Sequence, residues 1–127
     1  MSNELHPNDI LIAIGYHLPE ERRYFKSRVI LNKFFYEQKS RFPELLGGFL
    51  FDSNGHLPIC EEVSNAVSRL VLSGLVEISG NMLNPSYHFS DAVNLAYECR
   101  LKNRLSAEQK VDLENLAAGF NRMVCSW

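Results

Sequence analysis

The run from Pro58 to Phe89 constrains this chain most. Ile59, Val63, Ala66, Val67, Leu70 and Val71 recur at helical spacing, which predicts a helix over 58–73. Ser73-Gly74 stops it, because glycine readily takes the left-handed backbone that ends helices. Leu75-Val76-Glu77-Ile78 then reads as a strand, Ser79-Gly80-Asn81 as a turn, and Tyr87-His88-Phe89 as a returning strand. Residues 75–78 are therefore expected to pair antiparallel with about 85–89. The outward face of the helix carries Glu61, Ser64, Asn65, Ser68 and Leu72, with Arg69 at its margin. An acidic-to-neutral face with an exposed leucine suits a protein surface better than a phosphate backbone.

Helices are expected on both sides of this unit. Pro7–His17 forms the first, with proline acceptable in its first turn and Leu18-Pro19 ending it. The second is read from about Glu20 to Arg41. Tyr24, Phe25, Val29, Ile30, Leu31, Phe34, Phe35 and Tyr36 cover most of its circumference, so it is expected at the centre of the fold, with its aromatic residues in the core. Phe49-Leu50-Phe51 is a candidate third strand before the turn signal Asp52-Ser53-Asn54-Gly55. Ser90 caps a fourth helix, with Ala92, Leu95, Ala96 and Cys99 as its expected core residues. Ser106 to Gln109 reads as a capping box opening a fifth. Leu113, Leu116, Phe120, Met123 and Trp127 then form a narrow seam for packing against another helix or chain.

A chain of 127 residues with 46% hydrophobic residues suits one domain, 1–127, with its own core. The net charge of −2 excludes a strongly basic nucleic-acid binder by composition. Residues 20–41 hold seven Lys/Arg against three Asp/Glu, whereas 44–98 hold one against seven. Such polarity favours pairing with a protein of matching charge or with a second copy. Three cysteines, Cys60, Cys99 and Cys125, cannot all pair and contain no Cys-x-x-Cys unit, which points to a reducing compartment. No signal-peptide pattern and no apolar run of membrane-spanning length is present. The expectation is a soluble cytoplasmic protein with no membrane contact.

No catalytic, cofactor or metal motif is found. Gly47-Gly48 precedes a strand candidate and lacks the setting of a phosphate loop. His56 and Cys60 are separated by Pro58, and His88 and Cys99 could meet only through folding, so the thiols and histidines read as structural. Cys60 lies near a helix start, which lowers a thiol pKa, but Glu61 and Glu62 beside it act the other way. Glu61 and Glu62 point about 100° apart on a helix and cannot share one site. No catalytic residue and no cofactor is therefore assigned.

Val67-Ser-Arg-Leu-Val-Leu-Ser-Gly-Leu-Val-Glu77, followed by Asn84-Pro-Ser-Tyr-His-Phe-Ser90, resembles winged helix-turn-helix domains over residues 24–90. The resemblance implies an α+β fold, mostly helical with a small antiparallel sheet: a winged-helix-like core with extra N- and C-terminal helices. The whole chain also resembles the small middle-component proteins of bacterial ABC-three-component defence systems, through Phe49-Leu-Phe-Asp-Ser-Asn-Gly-His-Leu-Pro58 and Asn84-Pro-Ser-Tyr87. That implies a non-enzymatic adaptor linking larger subunits. The expected partner is a protein or a second copy, met through Glu61, Asn65, Leu72, Phe120, Met123 and Trp127. The alternative is a DNA-binding regulator that uses the basic helix 20–41, with Arg22, Lys26 and Lys33 on phosphates. The acidic helix at 58–73 departs from DNA-binding winged helices and makes nucleic acid the less favoured partner.

Overall fold

The computed structural model describes residues 5–52, 58–81 and 84–123. The fold is α+β: five α-helices and a three-stranded antiparallel sheet among the described residues. Helix α1 spans Pro7–His17, strand β1 Tyr24–Phe25, α2 Arg28–Gln38 and α3 Glu61–Leu72. Strands β2, Val76–Asn81, and β3, Asn84–Phe89, follow, then α4, Ala92–Ala96, and α5, Ala107–Met123. The strand order is β1-β3-β2. No helix among the described residues is long and apolar enough to cross a membrane.

The central helix is α1, not the helix expected over 20–41. Ile10, Leu11, Ile12, Ala13, Ile14 and Gly15 are all buried, so α1 is enclosed on every side. It packs against α3, α4 and α5. Its C-terminal carbonyls are held by Arg23, whose Nε donates to Leu18 O at 3.0 Å and Nη2 to Tyr16 O at 3.3 Å.

The expected 20–41 helix is broken in two. A short 3₁₀ turn covers Glu20–Arg22, and Tyr24–Phe25 is a strand. Ser27 then starts α2 afresh, its Oγ accepting the Ile30 N–H at 3.2 Å. The sheet wins residues 23–25 because Arg23 O accepts the Phe89 N–H at 2.8 Å. The Phe25 ring also stacks on Tyr87 at 4.8 Å, with 3° between the planes. This pair of residues, and not Phe49–Phe51, supplies the third strand. Phe49 is buried beside the Phe35 ring at 5.0 Å, and among the described residues the pairing nearby is an isolated bridge between Asp52 and Ile59.

The end of α3 is the stop read at Ser73-Gly74. Gly74, at φ +81°, donates to Val71 O at 3.2 Å, and Leu75 donates to Leu70 O at 2.9 Å. These two bonds make a Schellman motif. The helix begins at Glu61, three residues later than expected, and Ile59 lies outside it and exposed. Residues 76 and 78 pair with 89 and 87, as expected. The turn expected at 79–81 is strand instead: Gly80 pairs with Pro85 and Asn81 with Asn84. Gly80 takes φ +86° within the strand, so its glycine marks an irregular strand position and not the turn.

After the sheet, Val93, Tyr97 and Leu101 are buried, whereas of the expected core residues Ala92, Leu95 and Cys99 are exposed and Ala96 is half-buried. Both stripes have helical spacing; the one with the larger side chains faces inward. The chain continues from α4 through a π-helical turn, Tyr97–Leu101. The capping box of α5 is present in both directions: Ser106 N to Gln109 Oε1 at 2.9 Å, and Gln109 N to Ser106 Oγ at 3.1 Å. Leu113, Leu116, Ala117 and Phe120 bury the inner side of α5.

Candidate interaction surface

On α3, Glu61, Asn65 and Leu72 are exposed, and Leu72 is 88% accessible. Glu61 and Leu72 lie eleven residues apart, so this face is roughly 16 Å long. Residues 58–81 hold Glu61, Glu62 and Glu77 against Arg69 alone. One cation of α2 lies against α3 itself, at Ser64 and Ser68, which the sequence places on the outward face and which are half-buried. Arg28 Nη1 donates to Ser64 O and Ser68 Oγ, both at 3.1 Å, and its guanidinium lies 5.8 Å above the Tyr87 ring. Arg28 therefore stitches α2 to α3 and β3.

The three cations of the nucleic-acid alternative do not share one helix. Arg22 is in the 3₁₀ turn, with Nη1 3.4 Å from Asn121 Oδ1 on α5. Lys26 stands between β1 and α2, and Lys33 on α2. All three are exposed.

The C-terminal candidates separate in a different way. Phe120 is fully buried, with its ring edge-on to Phe34 at 5.4 Å, so it is a core residue and is corrected as a partner contact. Met123 is half-buried and accepts a hydrogen bond from Gln38 Nε2 at 3.7 Å. Trp127, with Cys125, lies outside the described residues, as does His56.

A second surface was assigned to the core by sequence and is open in the structure. Val29 and Tyr36 of α2 are 51% and 49% accessible, Leu50 67% and Ile59 58%. Several contacts gather them on one side. Tyr36 meets the half-buried Phe51 ring edge-on at 5.4 Å. Lys39 Nζ donates to Phe49 O at 2.7 Å. Asp52 and Ile59 exchange two backbone bonds, at 2.8 and 3.0 Å. Buried Asn32 accepts the Cys60 N–H at 3.1 Å and donates to Arg28 O at 2.9 Å, fixing 59–60 against α2. Val29, Lys33 and Tyr36 recur at spacings of four and three. The interrupting lysine is the signal that this stripe faces out. Because Ile59 and Glu61 are two residues apart, the patch adjoins the α3 face.

Burial pushes the Cys60 thiol up to about 11, and its Sγ–H points to Glu62 Oε2 at 3.2 Å. Cys99 is exposed, beside a groove of about 340 Å³ lined by Leu75, Ala92, Leu95 and Ala96. At the C-terminal end of α1, Tyr16 stacks on Tyr97 at 4.0 Å and donates to the Glu98 carboxylate. His17 sits edge-on to Tyr97 at 5.5 Å, with Nε2 buried and without a hydrogen-bond partner among the described residues. No three His, Cys, Asp or Glu side chains among the described residues gather to hold a metal. No family model, curated protein or solved structure matches this chain.

Proposed function

We propose that this protein is a non-enzymatic adaptor that docks a larger protein through the apolar surface of α2 and residues 49–60. The observation that carries this is that Val29, Tyr36, Leu50 and Ile59 are each about half exposed or more, on α2 and on the segments that Tyr36 and Asn32 hold against it. A contiguous exposed apolar patch on a small domain is costly unless something covers it. An aromatic ring flanked by aliphatic side chains has the composition of an interface centre. The adjoining α3 face, with Glu61, Asn65 and Leu72, extends the surface and disfavours an anionic polymer. The resemblance to middle-component proteins supports the same role, as a subunit linking components of a bacterial defence-type complex.

The test is co-purification of the full chain with the products of neighbouring genes, followed by titration of the isolated pair. Tyr36→Ala is expected to weaken binding by about ten-fold or more, as an interface anchor does. Val111→Ala, at an exposed residue on α5, is expected to leave it unchanged. Binding indifferent to Tyr36→Ala and Ile59→Ala overturns the assignment of this surface. If duplex DNA binds instead, with a steep salt dependence and loss on removing Arg22, Lys26 and Lys33, the regulator reading replaces it.

A further inference from the structure

Helix α4 and the π-helical turn after it are apolar on two sides. Val93, Tyr97 and Leu101 are buried toward the core, and α1 packs against both elements. The other side, Ala92, Leu95 and Ala96, lines the groove of about 340 Å³. Its opposite wall is Ser73 and Leu75, where the chain leaves α3. Leu95 is 68% accessible, and Ala92, Cys99 and Arg100 are exposed beside it. An open apolar groove of this kind does not enclose a small molecule as ligand pockets do, and suits a segment of another protein.

The groove favours a helix over an extended strand as its occupant. Gly74 O accepts the Ser90 Oγ–H at 2.8 Å, and Leu75 O accepts the Ser90 N–H at 2.9 Å. Ser73 N, Gly74 N and Leu75 N all close the end of α3. These bonds occupy donors and acceptors that a docking strand would need, whereas a helix satisfies its own. Charge narrows the choice further. Arg100 lines the groove, and Arg69 stands one helical turn before Ser73, on the same side of α3. Neither makes a side-chain hydrogen bond or ion pair among the described residues. Glu98, two residues from Arg100, is taken by Tyr16 and Lys102. Asp91 lies nine residues from Arg100, roughly 13 Å along the helix, and outside the lining.

We propose that this groove docks an acidic amphipathic helix of another protein. Apolar side chains three and four residues apart on that helix enter between Leu75 and Leu95, and the small Ala92 and Ala96 let it come close. Its Asp or Glu side chains meet Arg69 and Arg100. The groove is at the C-terminal end of α3, whereas the α2 patch adjoins the N-terminal end. It uses none of the residues proposed for the larger partner, so either proposal can fail alone.

Panning a phage-displayed library of random peptides on the full chain, with Leu95→Lys for counter-selection, tests this. Leu95 is exposed, so Leu95→Lys is expected to keep the parent's melting temperature. The expected clones carry apolar residues three and four apart with Asp or Glu beside them, and bind Leu95→Lys about ten-fold more weakly or worse. A synthetic peptide from such a clone should lose about two- to five-fold in affinity for Arg100→Glu, the worth of an exposed ion pair. The same peptide with Lys in place of its acidic residues should bind Arg100→Glu more tightly than it binds the parent. At saturation the acidic peptide should slow iodoacetamide labelling of Cys99, and Tyr36→Ala should bind it as the parent does. A library that yields no clone, or only clones indifferent to Leu95→Lys, overturns the proposal. So do Leu95-dependent clones that are basic or uncharged, a bound peptide that leaves Cys99 labelling unchanged, and loss of binding in Tyr36→Ala.

Discussion

Gly15 and Phe89 approach each other so closely that residue 15 has no room for a side chain. A β-carbon on Gly15 would lie 2.6 Å from Phe89 Cδ1 and 2.8 Å from its Cγ. Both residues are buried, and the ring is held between α1 and the sheet. Gly15→Ala is therefore expected to destabilise the protein by about 1–3 kcal/mol, the usual cost of overpacking. That outcome opposes the gain of about 1 kcal/mol that alanine brings to a helix interior. Urea unfolding of the variant decides the sign. A stabilised Gly15→Ala would show that α1 and β3 can move apart.

Phe35→Ala removes a fully buried ring that contacts Phe34 and Phe49. The expected loss is about 3–5 kcal/mol. That is a large part of the roughly 5–15 kcal/mol that holds a domain together. Tyr36→Ala, one residue along on the exposed side of α2, is expected to cost less than about 1 kcal/mol. Comparable losses in the two variants would contradict the orientation of α2.

The stability of this protein should fall as the pH drops below about 6.5. Burial holds the His17 pKa below its ordinary value, and the Glu114 charge offsets this only in part. The unfolded chain therefore takes up the proton first. Stability is full above the unfolded value and declines as pH falls from there toward the lower folded value. His17→Gln should flatten the dependence of melting temperature on pH between neutrality and pH 5. An unchanged slope would assign the acid sensitivity to other groups.

Alkylation should distinguish two of the thiols. The Cys60 thiol, raised to about 11 and buried, stays protonated and shielded at pH 8. Cys99 is exposed. Brief iodoacetamide treatment of the folded protein, followed by peptide mass analysis, is expected to label Cys99 and spare Cys60. Labelling of Cys60 in the native protein would contradict its burial at the start of α3.

What was legible in the sequence is what neighbouring residues decide. Gly74 ends α3, and Ser106 with Gln109 opens α5, through bonds made within a few residues. The α3 face was legible for the same reason: Glu61, Asn65 and Leu72 lie opposite Val63, Ala66, Val67 and Leu70 on one wheel. Tyr24-Phe25 was misread because helical spacing is a local signal, whereas their strand partner, Tyr87-His88, lies more than sixty residues away. The α2 patch was hidden by its composition. A helix with Phe34, Phe35 and Tyr36 in succession has only a narrow polar strip, and Lys33 between Val29 and Tyr36 was the one local sign of which ring stays outside. Phe120 was correctly placed on the α5 seam, but a seam does not reveal whether its partner is the same chain or another.

The enclosure of α1 also bears on biosynthesis. This helix is translated first of the five, yet part of its cover, α5, begins at Ala107. At about 5–20 residues per second, the ribosome takes roughly 5–20 s to travel between them. For that interval Ile10, Leu11, Ile12 and Ile14 have no α5 to pack against. The nascent chain is thus a natural client for holding factors near the exit tunnel, and synonymous codon changes that slow elongation between α1 and α5 should lower the yield of native protein more than those placed after Met123.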